Sequence, residues 1–330
     1  GASGGGGADG AALRQAGRLT GATGPDFSLP VGPDGYAWWY VDGISEDGTK
    51  AVSVIAFIGS VFSPWYKWSG RQEPQNHCCL NVVTSGLNGR FTMTDRGRQA
   101  LQQSPARLTI GPSTVHWTGK ELVIEVNEWG APPMVTPVRG RITLTPRAVT
   151  ETEVLLTPDA AHLWRPFAPI ADIEVNLTQG HAWRGHGYFD ANFGTRALET
   201  DFSFWTWGRY PLKDRTVCFY DAELRDGRHF DLAVEITPDG RVVETTAPPR
   251  TRFQRNSWAV RRETRADPGT KPRPHLSLLE APFYSRSLVE TQIDGETTIG
   301  MHEALDLARF RQPLLKPMLA VRVPRRARWP

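Results

Sequence analysis

Short turn signals recur along this chain at intervals that leave room for strands and little else. Asp47-Gly48, Asn88-Gly89, Thr118-Gly119, Asp226-Gly227, Asp239-Gly240 and Asp294-Gly295 each place a polar residue before a glycine, and such pairs close tight hairpins because both positions tolerate positive φ. Between them lie runs rich in β-branched and aromatic residues, at 36–42, 50–62, 76–83, 108–111, 113–117, 121–127 and 139–145. A second series follows at 170–177, 181–189, 200–207, 215–224, 229–236, 241–246, 258–264, 275–284 and 287–293. Only 94–103 reads as a helix, with Thr94 or Asp95 as its N-cap. Pro313 and Pro317 prevent a long helix in the apolar segment 305–319. The pattern predicts an all-β chain built of antiparallel barrels or sandwiches.

A chain of 330 residues can bury two cores. The two runs of strands predict two β domains in tandem, 25–157 and 158–330, behind a Gly-rich leader, 1–24, that is too poor in apolar residues to build a core. The net charge of +3 is too small for a nucleic-acid partner. Basic residues do collect at 322–328, before Trp329, a composition suited to an anionic lipid surface. No apolar run approaches the ~20 residues needed to span a bilayer, and the start carries no signal-peptide pattern. Any membrane work is therefore expected to be peripheral, on the cytoplasmic side. Cys78, Cys79 and Cys218 form neither a disulfide framework nor a CxxC zinc site. His77 beside the cysteine pair has no evident partner to activate a thiol, which argues against a cysteine hydrolase.

The stretch Gly185-His186-Gly187-Tyr188-Phe189-Asp190-Ala191-Asn192-Phe193-Gly194 carries the chemistry. Read as a strand, it places His186, Tyr188, Asp190 and Asn192 on one face and Phe189, Ala191 and Phe193 on the other. His162 and Trp164 share a face if their segment is extended, as do Trp205 and Trp207. A carboxyl buried among such rings has its pKa raised by desolvation and stays protonated near neutrality. Aromatic faces stabilise a cation. Together they suit protonation of an isolated alkene. Each residue also has a plainer reading, as aromatic core, turn cap or core histidine. His162, His181 and His186 lack a diagnostic zinc spacing, and no metal or cofactor is predicted.

Several longer stretches carry a resemblance: Pro33 to Gly43, Gly59 to Pro64, Glu73 to Cys78, Trp183 to Asn192 and Met301 to Phe310. In these the chain resembles the bacterial carotenoid 1,2-hydratases, or hydroxyneurosporene synthases, over nearly all residues after 30. The resemblance implies a pair of lipocalin-like, calycin-type β-barrels in tandem. It also implies a cofactor-independent hydro-lyase of carotenoid biosynthesis in purple photosynthetic bacteria. Water is added across the terminal C1=C2 bond of an acyclic carotenoid such as neurosporene or lycopene. The family pattern His-x-Trp followed by Tyr-x-Asp falls on His162, Trp164, Tyr188 and Asp190, although His181-Ala182-Trp183 is also His-x-Trp. In that mechanism Asp190 protonates C2, Trp164 and Tyr188 shield the cation at C1, and His162, with Asn192, holds the water. Trp205, Trp207, Asn192 and His186 are the expected substrate contacts. The substrate's insolubility implies peripheral association with the inner, photosynthetic membrane, with the tail and 314–323 as docking candidates. Two rival readings are a polyene pericyclase or isomerase of the same fold, and a non-catalytic carrier of apolar ligands.

Overall fold

In the computed structural model, strand β1 (Tyr36–Ser45) is buried at every position. Side chains alternate across a strand, so both its faces must be covered. Ala37, Trp39 and Val41 enter one hydrophobic core, while Tyr36, Trp38 and Tyr40 enter another. The structure describes residues 12–15 and 24–326, and this two-faced strand organises them.

The first sheet contains β1, β2 (Ala51–Ile58), β3 (Cys78–Thr84), β4 (Pro137–Ala148), β5 (His162–Leu177) and β6 (His181–Gly194), hydrogen-bonded in the order β3-β2-β1-β6-β5-β4. It continues through Leu122–Trp129, Ser113–Trp117, Arg107–Ile110 and Leu101–Gln103. Cys78, Leu80 and Val82 share a core with Leu108, Ile110 and Val115 from the far end of this order, so the sheet curls around its own interior as a lipocalin-like barrel does. The second sheet contains β7 (Phe202–Pro211), β8 (Thr216–Leu224), β9 (His229–Ile236), β10 (Tyr284–Ile293) and β11 (Glu296–Asp306), in the order β9-β8-β7-β11-β10. Its inner face meets the outward face of β1, β2 and β6. Trp205, Trp207, Tyr220, Leu288, Met301 and Leu305 join Tyr36, Trp38, Tyr40 and Phe57 in that shared core.

The all-β prediction is realised, with different detail at four places. Hydrogen bonding in the first sheet runs through the predicted division at 157/158: Thr152–Leu155 pairs with β5, and β1 pairs with β6. The change of sheet falls between Gly194 and Phe202. Turn signals mark where strands end, not which strands pair. The 94–103 segment is not an α-helix. Asp95–Arg96 and Leu101–Gln103 are strands flanking a 3₁₀ turn at Arg98–Ala100, because pairing with neighbouring strands overrides weak local propensity. Of the leader, Ala12–Gln15 pairs antiparallel with Thr152–Leu155, while 1–11 and 16–23 lie outside the described residues. In the basic tail, Arg325–Arg326 pairs with Asp95–Arg96 and Arg325 Nη1 binds Asp95 Oδ2 at 3.0 Å. Arg325 therefore faces protein while Arg326 is exposed, and Trp329 lies outside the described residues.

Gly194 shows how closely the layers approach. A Cβ there would lie 2.1 Å from the Tyr36 ring, in the space that lets the Tyr36 hydroxyl reach His162 Nδ1 at 2.7 Å. Gly194→Ala is expected to destabilise the protein by about 1–3 kcal/mol through overpacking, measured as a lowered urea midpoint with an unchanged m-value.

Candidate active site

β6 presents Tyr188, Asp190 and Asn192 toward the second sheet, while Phe189 and Ala191 fill the first core. The alternation places Asp190 and Asn192 on a cavity between the sheets. Its walls are aromatic: Trp38 and Tyr40 from β1, Phe57 from β2, Trp205 and Trp207 from β7, and Tyr220 from β8. Arg286 and Glu303, from β10 and β11, complete the polar part.

Asp190 is a buried acid on this cavity. Its Oδ2 accepts from the Tyr188 hydroxyl at 2.5 Å and from Trp164 Nε1 at 2.8 Å. Its Oδ1 is buried with no hydrogen-bond partner. Burial penalises the anion, and this outweighs the two donors to lift the carboxyl to about 8, with Asp42 and Glu303 adding to the rise. Asp190 is therefore a neutral acid near pH 7. With Oδ2 occupied by two donors, the proton belongs on Oδ1, the oxygen without a protein partner. Desolvation likewise raises the Tyr40, Tyr188, Tyr220 and Tyr284 hydroxyls well above their ordinary value, so the walls carry neutral phenols.

The predicted site residues divide by position. Asp190, Asn192, Trp205 and Trp207 line the cavity. Trp164 and Tyr188 stand behind Asp190 as its two donors, and Trp164 also packs edge-on against Tyr220 at 4.9 Å. They hold the acid rather than form the wall. His162 does not reach the cavity. Its Nε2 bonds Asp201 Oδ2 at 2.6 Å and its Nδ1 bonds Tyr36, so neither nitrogen is available to hold a water. Its ring stacks on Tyr36, which stacks on Trp38, making His162 a buttress for the wall. His186 is also displaced. Its Nδ1 accepts from Arg209 Nη1 at 3.3 Å, and burial with that neighbouring cation lowers it to about 3. Of the two His-x-Trp segments, the one at 162 supplies the tryptophan on Asp190, while His181 Nε2 bonds the Asn88 carbonyl at 2.9 Å.

Cys78 and Cys79 are buried and free. Burial pushes the Cys78 thiol up to about 12 and Cys79 well above its usual range, opposite to a nucleophile's need. His77 Nδ1 is held by Asp95 at 3.0 Å. Among the described residues no group of three or more His, Cys, Asp and Glu side chains is arranged to hold a metal.

Sequence reasoning missed Trp38, Tyr40, Tyr220, Arg286 and Glu303. Trp38, Tyr40 and Glu303 lie within stretches that carried the family resemblance, and alternation places Trp38 and Tyr40 on one face of β1. No local signal marks Tyr220 or Arg286, which reach the cavity through strand order alone.

The carotenoid hydratase CrtC family model matches residues 54–330. The acyclic carotenoid 1,2-hydratase of Rhodobacter capsulatus is 70% identical over 277 residues, covering 84% of this chain and 99% of that protein. The protein of the same description from Thiocapsa roseopersicina is 44% identical over 330 residues, covering 98% and 81%. Among solved structures, a putative AttH from Nitrosomonas europaea aligns with a TM-score of 0.57 at 13% identity, covering 82% of this chain and 92% of that one. Kievitone hydratase from Nectria haematococca aligns at 0.50 and 13%, covering 86% and 97%. At such identity these two speak to fold alone.

A carboxyl titrating near pH 8 should appear in infrared difference spectra and vanish in Asp190→Asn. Trp164→Phe removes a donor that favours the charged form, so the midpoint should move upward in that variant; a downward move would contradict this electrostatic account.

Proposed function

The chain belongs to the carotenoid hydratase CrtC family, and we propose that its inter-sheet cavity holds the end of an acyclic carotenoid while Asp190 protonates it. The reaction is hydration of the terminal C1=C2 bond, a hydro-lyase activity, giving a tertiary 1-hydroxy carotenoid from substrates such as neurosporene or lycopene. The observation that carries the assignment is the neutral Asp190 carboxyl, whose Oδ1 has no protein partner in a cavity walled by rings.

Asp190 Oδ1 delivers its proton to C2, and the positive charge develops at tertiary C1. Trp38, Trp205, Trp207 and Tyr40 surround that charge with aromatic faces, whose quadrupoles attract a cation. Phe57 and Phe62 exclude bulk water. Tyr188 and Trp164 hold Oδ2 and stabilise the carboxylate as it forms, which lowers the cost of the transfer. Asn192, whose Nδ2 lies 3.5 Å from the Tyr220 hydroxyl, is placed to orient the water that adds to C1. A carrier of apolar ligands would gain nothing from a buried acid with one unpartnered oxygen, and a pericyclic reaction would need no proton from it.

The long polyene requires a path. A second, largely apolar cavity is lined by Phe62, Met93, Phe283, Tyr284, Leu319 and Val323, and shares Ile55, Phe62 and Arg286 with the first. Helix α1 (Leu315–Arg322) contributes to its wall. On the outside, Leu314, Met318 and Val321 recur at helical spacing with exposures of 86%, 50% and 63%, and Trp68 is exposed at 52%. This apolar face beside the channel, rather than the protein-bound part of the basic tail, is the contact proposed for the cytoplasmic face of the photosynthetic membrane. No described helix is long and apolar enough to cross it.

Incubation with lycopene micelles in H₂¹⁸O should yield product carrying one ¹⁸O per new hydroxyl. Asp190→Asn should lower that rate by roughly 10²–10⁴-fold, with binding retained; near-normal turnover would remove Asp190 from the mechanism. Because the acid must be protonated, the rate should fall as pH rises through about 8. Replacing Leu314, Met318 and Val321 with serine should reduce liposome flotation and turnover on vesicles while leaving turnover in detergent micelles unchanged; intact flotation would discard the docking face.

A further inference from the structure

Asp190 faces a second carboxyl. Among the residues lining its cavity, Glu303 is the other acid, carried by β11 opposite Trp207 of β7. Three donors fix it. Trp205 Nε1 gives to Oε1 at 3.2 Å, and Oε2 receives the Tyr284 hydroxyl at 2.5 Å and Arg286 Nη2 at 3.4 Å. Arg286 is buried and also donates from Nη1 to Ser53 Oγ at 2.8 Å, so its cation is held against Glu303 from both sheets. A carboxylate offers about four lone-pair directions, and these contacts leave room for one more hydrogen. Asp190 has no charged donor and one unpartnered oxygen, whereas Glu303 has a cationic partner. Two carboxyls in one cavity, one held by neutral donors alone and one beside a guanidinium, suit opposite proton-transfer roles.

We propose that Glu303 is the general base of this hydration, accepting a proton from the water that attacks C1. The inference rests on the hydration reading above and assigns a step that reading left open. The C1=C2 π pair forms the new C2–H bond with the proton of Asp190 Oδ1, leaving the Asp190 carboxylate and a cation at C1. A lone pair of water forms the C1–O bond, and the O–H pair returns to oxygen as the proton passes to Glu303. The product is the neutral alcohol. One proton then travels from Glu303 to Asp190 through water to restore the starting state, so the sum is addition of H₂O. Carotenoid carbon supplies no base of its own, and Trp207 Nε1, the unpartnered indole donor on the wall, cannot accept a proton.

The test separates proton delivery from water capture. Purified wild type, Glu303→Gln and Asp190→Asn are incubated with lycopene micelles in H₂¹⁸O and, separately, in D₂O, with mass analysis of product and recovered substrate. In Glu303→Gln the cation still forms but collapses by losing a proton. Incorporation of ¹⁸O should fall at least about 100-fold, while deuterium at C2 of recovered lycopene persists or rises. Asp190→Asn should lose both. Hydration by Glu303→Gln within about threefold of wild type would overturn the proposal. So would a parallel loss of ¹⁸O and deuterium in a variant that still unfolds cooperatively, since Glu303 would then only shape the cavity. If Glu303→Gln does not fold, Glu303→Asp replaces it: it keeps the charge beside Arg286 and withdraws the base by one methylene, with the same split expected and the same parallel loss counting against it. A wild type that binds lycopene but incorporates no ¹⁸O would remove the hydration reading itself, and this proposal would fall with it.

Discussion

The buried pair Asp42–Arg209 holds the two sheets in register. Asp42 projects from β1 and Arg209 from β7, both almost fully buried, and Arg209 Nε donates to Asp42 Oδ1 at 2.7 Å. The Tyr40 hydroxyl gives to Asp42 Oδ2 at 2.6 Å, and the guanidinium lies 5.5 Å over the Tyr188 ring. Removing one partner of such a pair typically costs about 3–5 kcal/mol, because the other charge is left buried and unpaired. A purely apolar interface tolerates sliding, whereas this pair admits one alignment of β1 against β7. Arg286 repeats the device, reaching from β10 to Ser53 on β2.

That alignment creates the site. It brings the outward face of β1 and β6 against Trp205 and Trp207 and leaves a gap that rings only partly fill. In that gap the Asp190 carboxyl loses water and gains only neutral donors, so it remains an acid at neutral pH. Glu303, across the same space, has a guanidinium for company. The difference between the two carboxyls is a property of the layers around them. His162 contributes at a distance: tied to Asp201 and Tyr36, it fixes the stack that ends in Trp38.

The comparison of chain and fold is instructive at particular residues. The split of Tyr188, Asp190 and Asn192 from Phe189 and Ala191 was legible because it needs only the two-residue period of a strand. The same rule placed His162 and Trp164 on one face, and they do share it. It could not reveal that both His162 nitrogens are occupied, nor that Trp164 Nε1 donates to Asp190. Those facts depend on Tyr36, Asp201 and Asp190, which lie far from them in sequence. The 94–103 segment failed for a related reason, since sheet pairing overruled local propensity. The pairing of Arg325 with Asp95 was not legible because the two sit 230 positions apart.

By itself the sequence determined the all-β texture and the alternation that puts Tyr188, Asp190 and Asn192 on one strand face and Phe189 and Ala191 on the other. Each is local: φ tolerance at turns and the strand period act within a few residues. Tertiary structure alone decided which strands pair, where the first sheet gives way to the second, and that Glu303 and Arg286 close the cavity opposite Asp190. It also decided the protonation of Asp190, because a carboxyl's pKa is set by the water it loses and the charges it meets, and both are supplied by residues distant in the chain.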